Sequence, residues 1–114
     1  MTRPKEVYFK EGCFIEEWLN TPDDPELSIA RVRVEPHKQT RLHALKNTTE
    51  RYVILNGRAL VSIGESTSTI SEGGVVTIQP DEPQKIQNLE ATDLIFLAVC
   101  NPRFEEKNYI DLEQ

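Results

Sequence analysis

Cysteine is scarce in this 114-residue chain: Cys13 and Cys100 are the only two, and no Cys-x-x-Cys pair occurs. That absence excludes a zinc ribbon and a thioredoxin-type redox motif. Long hydrophobic runs are also missing, and none approaches the length needed to cross a bilayer. The opening residues, Met1-Thr-Arg-Pro-Lys-Glu6, lead into no apolar signal segment. The cytoplasm is therefore the expected compartment, and free thiols the expected state of both cysteines. Basic charge is in deficit as well. Thirteen Lys and Arg stand against 19 Asp and Glu, for a net charge of -6. That balance disfavours nucleic acid, whose phosphates call for a basic face. No phosphate loop, Rossmann glycine fingerprint or serine elbow is present. Internal repeats, low-complexity tracts and convincing helices are absent too.

What remains is a chain of strand signals. Its length suits one domain, and 38% hydrophobic with 28% charged residues is ordinary for a soluble globular protein. Residues 12–19 are rich in aromatic and branched side chains and read as a first strand. Residues 20–25 hold two prolines and two aspartates and read as a loop. Residues 27–35 alternate: Ile29, Arg31 and Arg33 share one face, and Ala30, Val32 and Val34 the other, which should be the inner one. Residues 41–45 and 50–55 are extended, with a turn at 46–49. Asn56-Gly57 predicts a type I′ hairpin joining 50–55 to 58–63. The Ser/Thr-rich strand 67–70 is expected at an edge or facing water. Residues 75–78 read as a buried strand, 80–83 as a loop and 85–88 as a further strand. Residues 94–99 read as a strand buried on both faces. About nine short strands with turns between them predict an all-β barrel or sandwich. The tail 102–114 is polar with two apolar anchors, Phe104 and Tyr109, and reads either as one helical turn or as an arm reaching a neighbouring subunit.

Chemistry-bearing residues cluster in residues 43–88. Residues two apart on a strand share a face. His43 then points with Leu45, Glu50 with Tyr52 and Ile54, and Gln84 with Ile86 and Asn88. If each face turns inward, His43, Glu50 and Gln84 converge inside an apolar barrel. Leu45, Tyr52, Ile54, Ile86, Phe96 and Trp18 are its expected lining, with plain core packing as the alternative.

These residues resemble the two motifs of the cupin superfamily. The first motif, G-x5-H-x-H-x(3,4)-E-x6-G, is matched by His43, Glu50 and Gly57 in register, with His37 at its first glycine and Leu45 at its second histidine. The second, G-x5-P-x-G-x2-H-x3-N, is matched by Gly73 and Asn88. Gln79 stands at the proline, with Pro80 next to it, Asp81 at the glycine and Gln84 at the histidine. The short gap between the motifs is that of small single-domain cupins, and the resemblance spans residues 28–99. It implies a double-stranded β-helix, or jelly-roll β-barrel, with a pocket for a small organic molecule. It also implies a homodimer in which the N-terminal strand meets the partner's sheet and Phe104 and Tyr109 clamp the interface.

In cupins three histidines and the glutamate bind a divalent metal. Here the four positions read His43, Leu45, Glu50 and Gln84, and Leu45 coordinates nothing. Three readings stay open. His43, Glu50 and Gln84 hold zinc, manganese, nickel or iron with water completing the shell. Or they form a metal-free polar cluster that binds a ligand, or they are satisfied core groups. An enzyme of the first kind would be a dioxygenase, isomerase or cyclase, with Glu50 as ligand or catalytic base. The alternative is a non-catalytic or regulatory small-molecule binder.

Overall fold

Alternation sets the sheets. The computed structural model, which describes residues 3–113, buries Val32 and Val34 and turns Arg31 and Arg33 the other way. There Arg31 pairs with Glu16 at 3.3 Å, and Arg33 with Glu6 at 2.9 Å. Eleven strands follow in chain order. β1 (Val7–Phe9), β2 (Cys13–Leu19) and β3 (Ser28–Val34) run antiparallel in one sheet. That sheet is completed by β5 (Thr49–Asn56), β8 (Val75–Ile78) and β10 (Leu94–Asn101), in the order β1-β2-β3-β10-β5-β8. The second sheet holds β4 (His43–Leu45), β6 (Arg58–Ile63), β7 (Ser66–Ser71), β9 (Gln84–Asn88) and β11 (Tyr109–Asp111), in the order β11-β4-β9-β6-β7. The chain crosses from sheet to sheet repeatedly, which is the jelly-roll arrangement. No helix among the described residues is long and apolar enough to cross a membrane.

The core lies between the sheets. Tyr52, Ile54, Ile78, Ile86, Leu94 and Phe96 are its largest fully buried apolar side chains. Each contributes about 1.5–3 kcal/mol by leaving water. Asn88 is buried among them and serves as a staple. Its Nδ2 donates to the carbonyls of Val34 at 3.0 Å and Thr92 at 2.8 Å, and its Oδ1 accepts from the Glu90 N–H at 2.9 Å.

Several expectations are corrected. Asn56-Gly57 does not close a hairpin, because β5 and β6 lie in different sheets. Gly57 has φ +103° and turns the corner between sheets, where an added Cβ would come within 3.3 Å of Leu94 Cδ1. Asn56 does not share its positive φ, so the turn is not type I′. β8 is an edge strand, not a buried one, and Val75 is 55% exposed. β10 is fully buried on one face and half-buried on the other. The tail does hold a short 3-10 turn, Glu106–Asn108, but it also forms β11 against β4. Phe104 and Tyr109 both pack on Phe9 of the same chain. β2 has β1 on one side and β3 on the other.

The two motif glycines replaced in this chain fall at equivalent turns. In Glu35-Pro36-His37-Lys38 the Lys38 N–H donates to Glu35 O at 3.1 Å, and His37 has φ +61°. In Gln79-Pro80-Asp81-Glu82 the Glu82 N–H donates to Gln79 O at 3.3 Å, and Asp81 has φ +68°. Each is a turn with Pro second and a left-handed third residue, a position that favours glycine. The backbone shape is kept although the glycine is not.

Candidate functional site

β4 is three residues long and wholly buried, because β11 covers one edge and β9 the other. His43 faces Gln84 directly across the β4–β9 pair. Its Nδ1 lies 2.7 Å from Arg41 O. A carbonyl only accepts, so Nδ1 carries the proton and Nε2 is left with a lone pair. Tyr109 stacks on the imidazole, with ring centroids 5.0 Å apart. Burial lowers the pKa of His43, so the ring is neutral at pH 7.

The partner of Nε2 is Glu11, whose Oε1 lies 3.2 Å away. Glu11 sits in the turn between β1 and β2, and its carbonyl accepts the Arg41 N–H at 2.8 Å, which ties that turn to the base of β4. Burial, and then the nearby charge of Glu50, push the Glu11 carboxyl up to about 8. Because Nδ1 is committed to Arg41, the Glu11–His43 contact needs a proton between its two atoms. At neutral pH that proton sits on Glu11, which donates to the imidazole.

Glu50 lies on β5 opposite Cys100 and is 7% exposed. Burial raises its carboxyl to about 7, while donors on Gln84 and Cys100 pull it back. Its Oε1 has no hydrogen-bond partner among the described residues. The Gln84 amide is oriented by Tyr52, whose hydroxyl donates to Oε1. Gln84 therefore offers its NH2 to Glu50. Burial also pushes the thiols of Cys13 and Cys100 up, so both stay neutral and neither is an activated nucleophile.

Glu11, His43 and Glu50 line one cavity of about 360 Å³. Leu45, Tyr52 and Phe96 line it as expected. Ile54 and Ile86 do not; they are buried in the core beyond it. Trp18 is corrected too: it is 47% exposed on the outer side of β2, with its indole N–H 3.3 Å from Glu16 Oε1. Glu11 is the residue of this candidate site that the sequence did not indicate. Its position before Gly12 reads as turn polarity, and nothing in local spacing links it to residue 43.

The expected metal ligands are adjacent, but the donor atoms of two of the three are committed elsewhere. Gln84 gives its oxygen to Tyr52, and His43 gives Nε2 to Glu11. Among the described residues no group of three or more His, Cys, Asp or Glu is placed to hold a metal ion. The donor set does not fit the four-ligand centre implied by the resemblance.

No protein-family model matches the chain. It is 29% identical over 106 residues to the uncharacterized protein MJ1618 of Methanocaldococcus jannaschii, covering 91% of this chain and 85% of that one. Among solved structures it is similar to an RmlC-like cupin of Shewanella frigidimarina. The TM-score is 0.77 at 13% identity, over 91% of this chain and 88% of that one. It is similar also to Pac13 of Streptomyces, a nucleoside dehydratase, with TM-score 0.82 at 14% identity over 97% of this chain and 86% of that one. The fold is the cupin double-stranded β-helix, in its small single-barrel form.

Proposed function

We propose that this barrel is a metal-independent acid–base enzyme acting on a small organic molecule, by moving a proton at a carbon next to a carbonyl or imine. The observation that carries this reading is the placement on one cavity of Glu11, 3.2 Å from His43, and of buried Glu50, whose Oε1 is unpartnered among the described residues; burial raises both carboxyls. Acid–base groups work best with pKa values near the operating pH.

Glu50 is the base, since its Oε1 is unpartnered and its carboxyl is partly ionised at pH 7. The proton held between Glu11 and His43 is the acid. On a β-hydroxy carbonyl compound the step balances as loss of water. Glu50 takes the α-proton, the C–H electrons form the C=C bond, and the C–O bond breaks. The proton of the Glu11–His43 pair goes to the departing hydroxyl. Glu50 then returns its proton to that pair. The likeness to Pac13, a dehydratase, supports the water-loss form of this chemistry.

The test is proton exchange in deuterated buffer containing a chelator. Small ketones and β-hydroxy ketones are followed by NMR with wild type and Glu50→Gln. Wild type should catalyse α-deuteration, and Glu50→Gln should lose it. Exchange that appears only when a transition metal is added contradicts the reading. The second reading, a non-catalytic binder, is favoured by the apolar lining from Leu45 and Phe96. It predicts ligand binding without exchange.

A further inference from the structure

The inner end of the cavity has an unbalanced charge inventory. Glu11 and Glu50 line it, and among the described residues the one cationic side chain that lines the cavity with them is Lys5, which is exposed on the segment leading into β1, at the mouth. Glu106, also at the mouth, is paired with Lys10 at 3.2 Å, and Glu17 accepts from Asn20 Nδ2 at 2.6 Å. The inner carboxyls have no such ionic partner. The other titratable groups around Glu50 are His43, Tyr52, Cys13 and Cys100, and burial holds all four neutral at pH 7.

A second, independent feature points the same way. Glu50 is more than nine-tenths buried, lines the cavity and leaves Oε1 without a donor. A buried carboxylate oxygen in that state is costly unless a ligand completes it. Aromatic faces surround the same space. Tyr52 shares the Glu50 face of β5, its ring is 4.8 Å from that of Phe96, and both line the cavity with Tyr8, Phe9 and Phe104. Aromatic rings beside a carboxylate attract a cation through the ring quadrupole and through direct charge. An anionic group would meet the Glu50 carboxylate with no Lys or Arg among the described residues beside it.

We propose that the ligand of this cavity carries a positive charge, as a substituted ammonium or iminium, seated against Glu50 and the Tyr52 and Phe96 rings. The proposal rests on the pocket assignment above and adds the charge class of the ligand.

Three shape-matched probes test it by calorimetry on the purified full chain: choline, neutral 3,3-dimethylbutanol and anionic 3,3-dimethylbutanoate. Choline should bind at least about tenfold more tightly than the alcohol, the scale of one desolvated cation–π contact. Glu50→Gln, an isosteric neutral change, should bring the choline-to-alcohol ratio close to one while leaving alcohol binding in place. Equal or tighter binding of the alcohol or the carboxylate by wild type overturns the cation assignment but leaves the cavity and its proton chemistry standing. Failure of all three probes to bind overturns it as well, and the deuterium-exchange experiment then decides separately whether the acid–base reading survives. If Glu50→Gln does not fold, the wild-type ranking decides: choline binding no tighter than the alcohol overturns the proposal.

Discussion

Glu11 Oε1 lies 3.2 Å from His43 Nε2, a contact that one proton between the two atoms satisfies. The arrangement follows from the other end of the ring. Arg41 O holds Nδ1–H at 2.7 Å, so Nε2 can only accept unless the imidazole is charged. Burial opposes charge on both partners, and the proton rests on the carboxyl. A neutral acid is thereby kept beside Glu50, a second carboxyl that titrates one step lower.

Stability should fall as pH rises through neutrality. Glu11 and Glu50 have folded pKa values of about 8 and about 7 against an ordinary 4.5. Between those limits the unfolded chain releases protons that the folded chain keeps, so their stabilising contribution is complete below about 4.5 and lost by about 8. His43 works the other way, because its pKa is lowered from 6.5, but only below that pH. From 6.5 to 8 the carboxyls act without that opposition. Urea denaturation should show a loss on the order of 1 kcal/mol or more across this window. A flat or rising midpoint would count against two raised carboxyls.

His37→Gly should stabilise the protein. Residue 37 is the left-handed third position of a Pro36 turn and has φ +61°. A non-glycine residue there costs about 1–2 kcal/mol, partly offset by the freedom glycine adds to the unfolded chain. The expected net gain is about 0.5–1 kcal/mol in chemical denaturation. Asp81→Gly should gain less, because Asp81 Oδ1 accepts the Asn47 N–H at 3.2 Å and that bond would be lost. Destabilisation by His37→Gly would show that the strain argument fails at this turn.

Metal affinity should have to be built in. Wild type, with Leu45 at one ligand position and Gln84 held by Tyr52, should retain far less than one equivalent of zinc after dialysis. Leu45→His with Gln84→His restores two imidazoles beside His43 and Glu50 and should retain about one equivalent of zinc. Plasma emission spectrometry on both proteins decides it. Stoichiometric zinc in wild type would mean that Glu11 and Tyr52 release their partners and that the donor argument is wrong.

The barrel was legible because strand alternation and turn residues are local. Val32 and Val34 went inward as the pattern required, and the spacing of His43, Glu50 and Gly57 placed the central strands. The corner at Asn56-Gly57 was misread as a hairpin, since one glycine suits both turns and only the register of β5 with β8 and β10 separates them. Gln84 was read as a ligand because residue type gives an amide two chemistries. Which end turns to Glu50 depends on Tyr52, 32 positions earlier. Glu11 was invisible for a similar reason, being brought to His43 by the β1–β2 turn and the Arg41 backbone, a contact that no local spacing encodes.

The most direct test of the account is a carbon-13 NMR titration of glutamate side-chain carboxyls in metal-free protein, with Glu11→Gln and Glu50→Gln to assign the two signals. Wild type should show two carboxyls titrating near 8 and near 7, for Glu11 and Glu50 respectively. Glu50→Gln should lower the Glu11 value, because the like charge that helps to raise it is gone. If every glutamate titrates in the ordinary range near 4.5, the cavity holds no poised acid and base, and the proposed chemistry is contradicted.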